Sequence, residues 1–180
     1  MKKSDTPLPA KLVCGLLFRS ADPLERGVDS LIAELGEIDF RSEKIEFSYT
    51  GYYEKEMGTP LFRVFVSFRK LIDPGELSTI KTVTNRIERS DQLSPKESRS
   101  LNIDPGYLNP TAYILATSKN YAHRIYLGKG VFAQQELLFE RSRIRTLDWT
   151  YPDYRSIEYQ EVLRKIRRIY LEQVKELFGG

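Results

Sequence analysis

The chain has 180 residues, 41% of them hydrophobic and 29% charged, with a formal net charge of +3. Such a composition builds a globular core and excludes a disordered chain, and the small net charge does not by itself point to nucleic acid. A single cysteine, Cys14, excludes an internal disulfide and fits a reducing, cytoplasmic setting, while the longest apolar run, Leu12–Phe18, is far too short to span a bilayer.

Residues 1–10 are expected to be a flexible lead-in to one domain spanning 1–180. The run LVCGLLFR then reads as a strand. In FRSADPLE, residues Asp22, Pro23 and Glu25 are spaced as a helix start: a cap acceptor, a proline where no N–H is needed, and a glutamate three residues on. Leu24, Val28, Leu31, Ile32 and Leu35 recur at helical spacing, and Gly36 supplies the stop. SEKIEFSYTGYY is the next strand candidate. LFRVFVSFR then repeats the pattern, with Asp73-Pro74-Gly75-Glu76 capping a helix whose apolar face is Leu77, Ile80, Val83 and Ile87. A loop-like stretch, Ser90–Ser100, leads to the strand candidate RSLNID. This order, β-α-β twice, predicts an α+β fold with a ferredoxin-like split βαβ core, an antiparallel sheet with both helices on one face.

The second Asp-Pro-Gly, Asp104–Gly106, lacks a helical continuation and reads as a turn closing a strand. TAYILATSK, a hairpin in HRIYLGKGVFAQQELLFE broken at Gly128–Gly130, and RIRTLDWT extend the sheet or lay a second antiparallel layer over it. A C-terminal helix is predicted from about Ser156 to Phe178, with Val162, Leu163, Ile166, Ile169, Tyr170, Val174 and Leu177 on its apolar face and Asp153 or Ser156 as its cap.

Gly128-Lys129-Gly130 is not a P-loop, because no glycine stands five residues before Gly128, Gly130 replaces the required hydroxyl residue, and a strand follows. No GxGxxG opens a helix. His123 is the only histidine, so a multi-His or multi-Cys metal site is excluded, whereas a carboxylate site for Mg²⁺ stays open. Lys119 to Arg145 holds six basic residues against two acids, interleaved with Tyr121, Tyr126 and Phe132. That pattern suits phosphate contact with base stacking, or simply a soluble sheet edge. DWTYPDYRS and FSYTGYYEKEMG each cluster aromatics with acids, as structural anchors or as ligand-facing rims.

Five stretches in this order, TGYYEKEMGTPLFRVFVSF, TNRIE, LNIDPGYLNP, LATSKNYAHRIYLGKGVFAQQELL and WTYPDYRS, resemble the prokaryotic family of unknown function numbered 4416 (DUF4416). The resemblance spans nearly the whole chain and implies a small cytoplasmic protein. Members are sometimes labelled GTP-binding, a label for which this chain has no P-loop. The family-like motifs fall on Tyr53, Glu56, Asn85, Asp104 and Tyr107, then on Lys119, His123 and Arg124, then on Asp153, Tyr154 and Arg155.

These residues suit the binding, extending to catalytic processing, of a small anionic ligand such as a nucleotide or sugar phosphate. Lys119, His123 and Arg124 would hold the anion. Asp104, Glu56 and Asp153 would supply acid/base or Mg²⁺ chemistry, with His123 a further catalytic candidate. Tyr107, Tyr154 and Arg155 complete the candidate lining. The rivals are an RNA-binding module, although the RNP run is absent, and a non-catalytic interaction protein. The anionic-ligand reading expects Asp104 to meet at least one of His123, Arg124, Asp153 and Arg155 in one cleft.

Overall fold

A computed structural model describes residues 7–90, 99–141 and 143–179. The first strand, β1 (Ala10–Phe18), is buried at every position, as its unbroken apolar run requires of a strand covered on both faces. Helix α1 (Ala21–Leu35), strands β2 (Ile38–Arg41) and β3 (Ile45–Phe47), the short helix α2 (Glu54–Met57) and strand β4 (Leu61–Ile72) follow. A 3₁₀ turn at Pro74–Glu76 leads into α3 (Leu77–Ser90). Then come β5 (Leu101–Leu108), β6 (Ala112–Thr117), β7 (Ile125–Gly128), β8 (Val131–Phe139) and β9 (Ile144–Thr146). A second 3₁₀ turn, Asp153–Arg155, precedes the C-terminal helix α4 (Ile157–Phe178).

The strands form one antiparallel sheet in the order β2-β4-β1-β5-β6-β8-β7, with β3 also beside β4 and β9 beside β8. The second half therefore extends the sheet and does not fold over it. Side chains alternate across the sheet. On one face Leu12, Cys14 and Leu16 with Val64, Val66 and Phe68 pack against Leu24, Val28 and Leu31 of α1 and Ile80 and Ile87 of α3. On the other, Val13, Phe65, Tyr113 and Leu137 pack against Tyr159, Leu163, Ile166 and Tyr170 of α4. The result is an α+β layering with α1 and α3 on one face and α4 on the opposite one. Among the described residues no helix is long and apolar enough to cross a membrane.

Several expectations need correction. Pro9 and Ala10 are tied down, Ala10 by the β1 ladder and Pro9 by a hydrogen bond from the Tyr170 hydroxyl to its carbonyl at 3.0 Å. Residues 1–6 and most of the predicted loop at 90–100 lie outside the described residues. Asp73 caps as expected, accepting from the Gly75 amide at 2.7 Å while Glu76 accepts from the Asp73 amide at 3.0 Å. Asp22 does not cap. Helix α1 starts at Ala21 with Ser20 in the cap position and no side-chain cap bond, so Asp22 lies inside the first turn. Strand β2 had no expectation attached to it, because IDFR is too short to carry a period. Ser156 caps α4, accepting from the Tyr159 amide.

The largest correction concerns the second Asp-Pro-Gly. Asp104, Pro105 and Gly106 are not a turn; they lie in the interior of β5, opposite Gly15, Cys14 and Val13 of β1. On the other side, the β5–β6 pairing covers only Gly106–Leu108. Pro105, next in line, has no N–H to offer a further rung. At Gly106 a Cβ would stand 2.5 Å from the Ile114 carbonyl oxygen, so only glycine lets the two backbones meet there.

Candidate functional site

Because the β5–β6 ladder ends at Gly106 while β6 stays paired to β8 through Thr117, the sheet splits. The wedge between Asn102 and Asp104 on β5 and Ala116 to Lys119 at the end of β6 is part of a cavity of about 550 Å³. That volume is in the range of small-ligand pockets. Phe47 at the end of β3 and the aromatic residues that follow it (Tyr49, Tyr52, Tyr53) form one wall, α3 a second, and Tyr151 to Tyr154 a third.

Arg63 of β4 lies at the cavity's buried end, only 2% exposed. Room for its guanidinium comes from Gly15, where a Cβ would stand 3.1 Å from Nη1. Nη1 donates to Asp104 Oδ2 at 2.8 Å and to the Gly15 carbonyl at 3.1 Å, and Nε donates to the Tyr159 hydroxyl at 3.3 Å. Nη2 is 3.8 Å from Asp153 Oδ2. Asn102 Nδ2 adds a second donor to Asp104 Oδ2 at 2.9 Å. The two carboxyls beside this one guanidinium are driven apart. Burial pushes Asp104 upward, but the charges of Arg63 and Lys81 and the hydrogen bonds from Arg63 and Asn102 hold it below the usual carboxylate range. Burial raises Asp153, Arg63 offsets only part of the rise, and the Asp104 charge adds to it. The Tyr53 phenol is pushed up, first by the charge of Asp104 and then by burial.

Lys81, Asn85 and Glu88 stand four and three residues apart on α3, so they form one stripe facing the cavity. Lys81 Nζ donates to the Ile103 carbonyl at 2.9 Å, and Glu88 accepts from the Ile103 amide at 2.6 Å. Burial raises the Glu88 carboxyl despite Lys81 and that amide. Arg99 Nη1 joins Glu88 at 3.1 Å and Asn102 at 2.9 Å, and its Nη2 joins Glu56 at 2.8 Å. These cations are already engaged. Lys119 differs: among the described residues it forms no ion pair, and its ammonium lies 3.8 Å above the Tyr52 ring at the cavity's exposed rim.

Of the residues singled out from sequence, Tyr53, Asn85, Asp104, Lys119, Asp153 and Tyr154 line the cavity. Asp104 and Asp153 converge there on Arg63. Glu56 stands behind Arg99. His123 and Arg124 form a separate layer: His123 Nε2 is 3.0 Å and Arg124 Nε 2.8 Å from Gln134 Oε1, and His123 stacks on Trp149. Arg124 reaches the cavity indirectly, donating to the Tyr151 hydroxyl at 2.6 Å. Behind it Glu136 is fully buried, holding Gln134 Nε2 and the Tyr151 amide, and burial lifts its carboxyl to about 7. Arg155 does not line the cavity; it binds the carbonyls of Thr150 and Leu147 and so fixes that loop. Tyr107 packs between the α1/α3 core and a neighbouring apolar cluster around Leu77.

Arg63, Lys81, Glu88, Arg99 and Asn102 belong to the cavity and its hydrogen-bond network without being among the residues that the sequence motifs single out. A signal existed for three of them. Arg63 interrupts the apolar run of a central strand, and Lys81 and Glu88 share a polar stripe beside the apolar one on α3.

Among the described residues no group of three or more His, Cys, Asp or Glu side chains is placed to hold a metal ion. No curated protein and no solved structure matches the chain. Residues 8–170 match the profile of the family described as Domain of unknown function (DUF4416), and the chain belongs to that family.

Proposed function

We propose that the cavity at the sheet split binds a small anionic ligand such as a nucleotide or sugar phosphate. Lys119 carries the reading: it is the cavity-lining cation with no carboxylate partner among the described residues, and it stands at the rim, where an arriving anion meets it first. The rings of Tyr49, Tyr52 and Tyr53 offer apolar faces to the body of the ligand. Asp104, held ionised, and Asp153, pushed toward its neutral form, are suited to act as base and acid on a bound molecule. In this reading His123, Arg124 and Arg155 set the position of Tyr151 and its loop, and Glu56 orients Arg99.

The fold is read with it. The strand order β2-β4-β1-β5 with α1 and α3 on one face supports a ferredoxin-like core carrying an extension of further strands. The buried free thiol of Cys14 agrees with a reducing, cytoplasmic setting.

The test is isothermal titration with inorganic phosphate, ribose 5-phosphate, AMP and a short single-stranded RNA. Binding of the small phosphates that weakens roughly tenfold in Lys119→Ala is expected, in line with loss of one charged contact. Tight binding of RNA alone, unaffected by Lys119→Ala, would move the function to the basic, aromatic edge at β7.

A further inference from the structure

The cavity is electrically lopsided. At its inner end two carboxyls flank one guanidinium, Asp104 at 2.8 Å and Asp153 at 3.8 Å. At its rim stands the ammonium of Lys119, which forms no ion pair among the described residues, beside Tyr52, which is 58% exposed. The cations between these ends, Lys81 and Arg99, are matched by Glu88 and Glu56. A phosphate placed at the inner end would face two carboxyls and find the guanidinium already occupied. The anionic end of a ligand therefore belongs at the rim.

The inner end asks for donors. Asp104 Oδ2 is filled by Arg63 and Asn102, but its Oδ1 makes no hydrogen bond among the described residues, and the side chain is 25% exposed toward the cavity. Asp153 borders the same guanidinium, its Oδ2 3.8 Å from Nη2, so both carboxyls line one end of the cavity. An added amine would sit against Arg63 and Lys81 and meet like charge. Neutral hydroxyls meet none, and two adjacent hydroxyls suit two carboxyls that border one guanidinium. Between the ends, Asn85 and Ser118 also line the cavity, and neither side chain makes a hydrogen bond among the described residues.

Resting on the proposal that the cavity binds a small anion, we infer that its ligand is a phosphate monoester bearing a vicinal diol, the phosphate at Lys119 and the diol at Asp104 and Asp153. Ribose 5-phosphate and a ribonucleoside monophosphate share this chemistry.

Titration of the unmodified protein tests it with two matched pairs, ribose 5-phosphate against 2-deoxyribose 5-phosphate and AMP against 2′-deoxy-AMP, with inorganic phosphate as reference. Each ribo compound should bind roughly tenfold to a hundredfold more tightly than its deoxy partner, the cost of leaving a carboxylate acceptor unmatched. The tighter of the two ribo compounds identifies the source, free sugar phosphate or nucleotide. Asp104→Asn, checked for folding by its thermal unfolding curve, should narrow the ribo/deoxy ratio, while Lys119→Ala should weaken all the phosphates and leave that ratio unchanged. Equal affinity within both pairs, with Lys119→Ala still weakening them, overturns the diol and leaves the anion site standing. Tighter binding of glucosamine 6-phosphate than of glucose 6-phosphate also overturns it, in favour of an amine at the inner end. Absence of any phosphate binding removes the anion site and the diol together.

Discussion

Two cations are buried in neighbouring strands of one sheet, Lys11 on β1 and Arg63 on β4, at 0% and 2% exposure. Their surroundings differ. Lys11 bonds Asp39 and, at 2.7 Å, Gln173 Oε1. The second oxygen of Asp39 accepts from Ser67 at 2.7 Å, and the Gln173 amide goes on to the Arg69 carbonyl at 2.8 Å. Each named group is answered, and the network fastens α4 to the sheet. The Arg63 network ends instead in a carboxylate oxygen that makes no hydrogen bond among the described residues and borders a cavity. A buried charge alone thus does not mark a site. An acceptor left open against empty space is what the proposed site adds.

Removing the cation breaks this comparison most forcefully. Arg63→Met leaves Asp104 and Asp153 without the guanidinium between them, with only the charge of Lys81 still acting on Asp104, and should cost about 3–5 kcal/mol near neutral pH, read from urea denaturation. The loss should shrink in acid, where protonation relieves the carboxyls. Lys11→Met should cost about 3 kcal/mol by the same mechanism, since Asp39 is left nearly as buried. Yet any phosphate ligand should still bind the Lys11 variant with parental affinity. A Lys11→Met protein that folds but loses the ligand would show that the two networks are not separate.

Glu136 sharpens the contrast as a sealed charge that forms no ion pair among the described residues. Its carboxyl is lifted from an ordinary 4.5 to about 7, mainly by burial. The folded state then binds the extra proton, so stability is fully present below about 4.5 and falls as pH rises through about 7. That gap corresponds to at most about 3 kcal/mol, which urea midpoints collected from pH 4.5 to 8 would reveal. Glu136→Gln should flatten the slope. It should also lower stability throughout, because its amide would point at the Gln134 amide, donor against donor. A parental slope retained in that variant would assign the titration elsewhere.

The sequence discloses these features unevenly, for physical reasons. Periodicity and caps are local, so α1, α3, α4 and the Gly128–Gly130 hairpin were legible, as was the repeated β-α-β order. The split was not, because it depends on which strand lies beside β5, and pairing partners leave no mark on a short run. Pro105 and Gly106 read as a turn for that reason: the residues that interrupt a ladder are those that make turns. The candidate site was half legible. Polar residues at strand ends and loops, such as Lys119 and Asp153, stood out against their neighbours. Arg63 did not, since an arginine in a strand ordinarily points to solvent, and the groups that bury it, Gly15, Phe47, Asp104, Asp153 and Tyr159, come from five separate elements. His123 and Arg124 stood out equally, but their bonds to Gln134 place them behind the cavity wall.

The smallest effect compares the two Ile-Asp-Pro-Gly segments, which repeat the contrast between answered and open acceptors within identical sequence. Asp73 is answered locally by the Gly75 amide at 2.7 Å, and Glu76 returns a bond to its own amide. Asp73→Ala should therefore cost about 1 kcal/mol, the usual loss for a helix cap, and leave ligand affinity untouched. Asp22→Ala, in the matching segment before α1, should cost less than about 0.5 kcal/mol, because its side chain makes no cap bond. Asp104 caps no helix; its Oδ2 is held from β4 by Arg63 and by Asn102 two residues earlier, and its Oδ1 makes no hydrogen bond among the described residues. Substituting it should change ligand affinity more than Asp73→Ala does. Equal denaturation midpoints for Asp73→Ala and Asp22→Ala would mean that the cap bond contributes nothing. Equal ligand affinities for Asp73→Ala and Asp104→Asn would mean that an open acceptor at the split is no guide to where this protein binds.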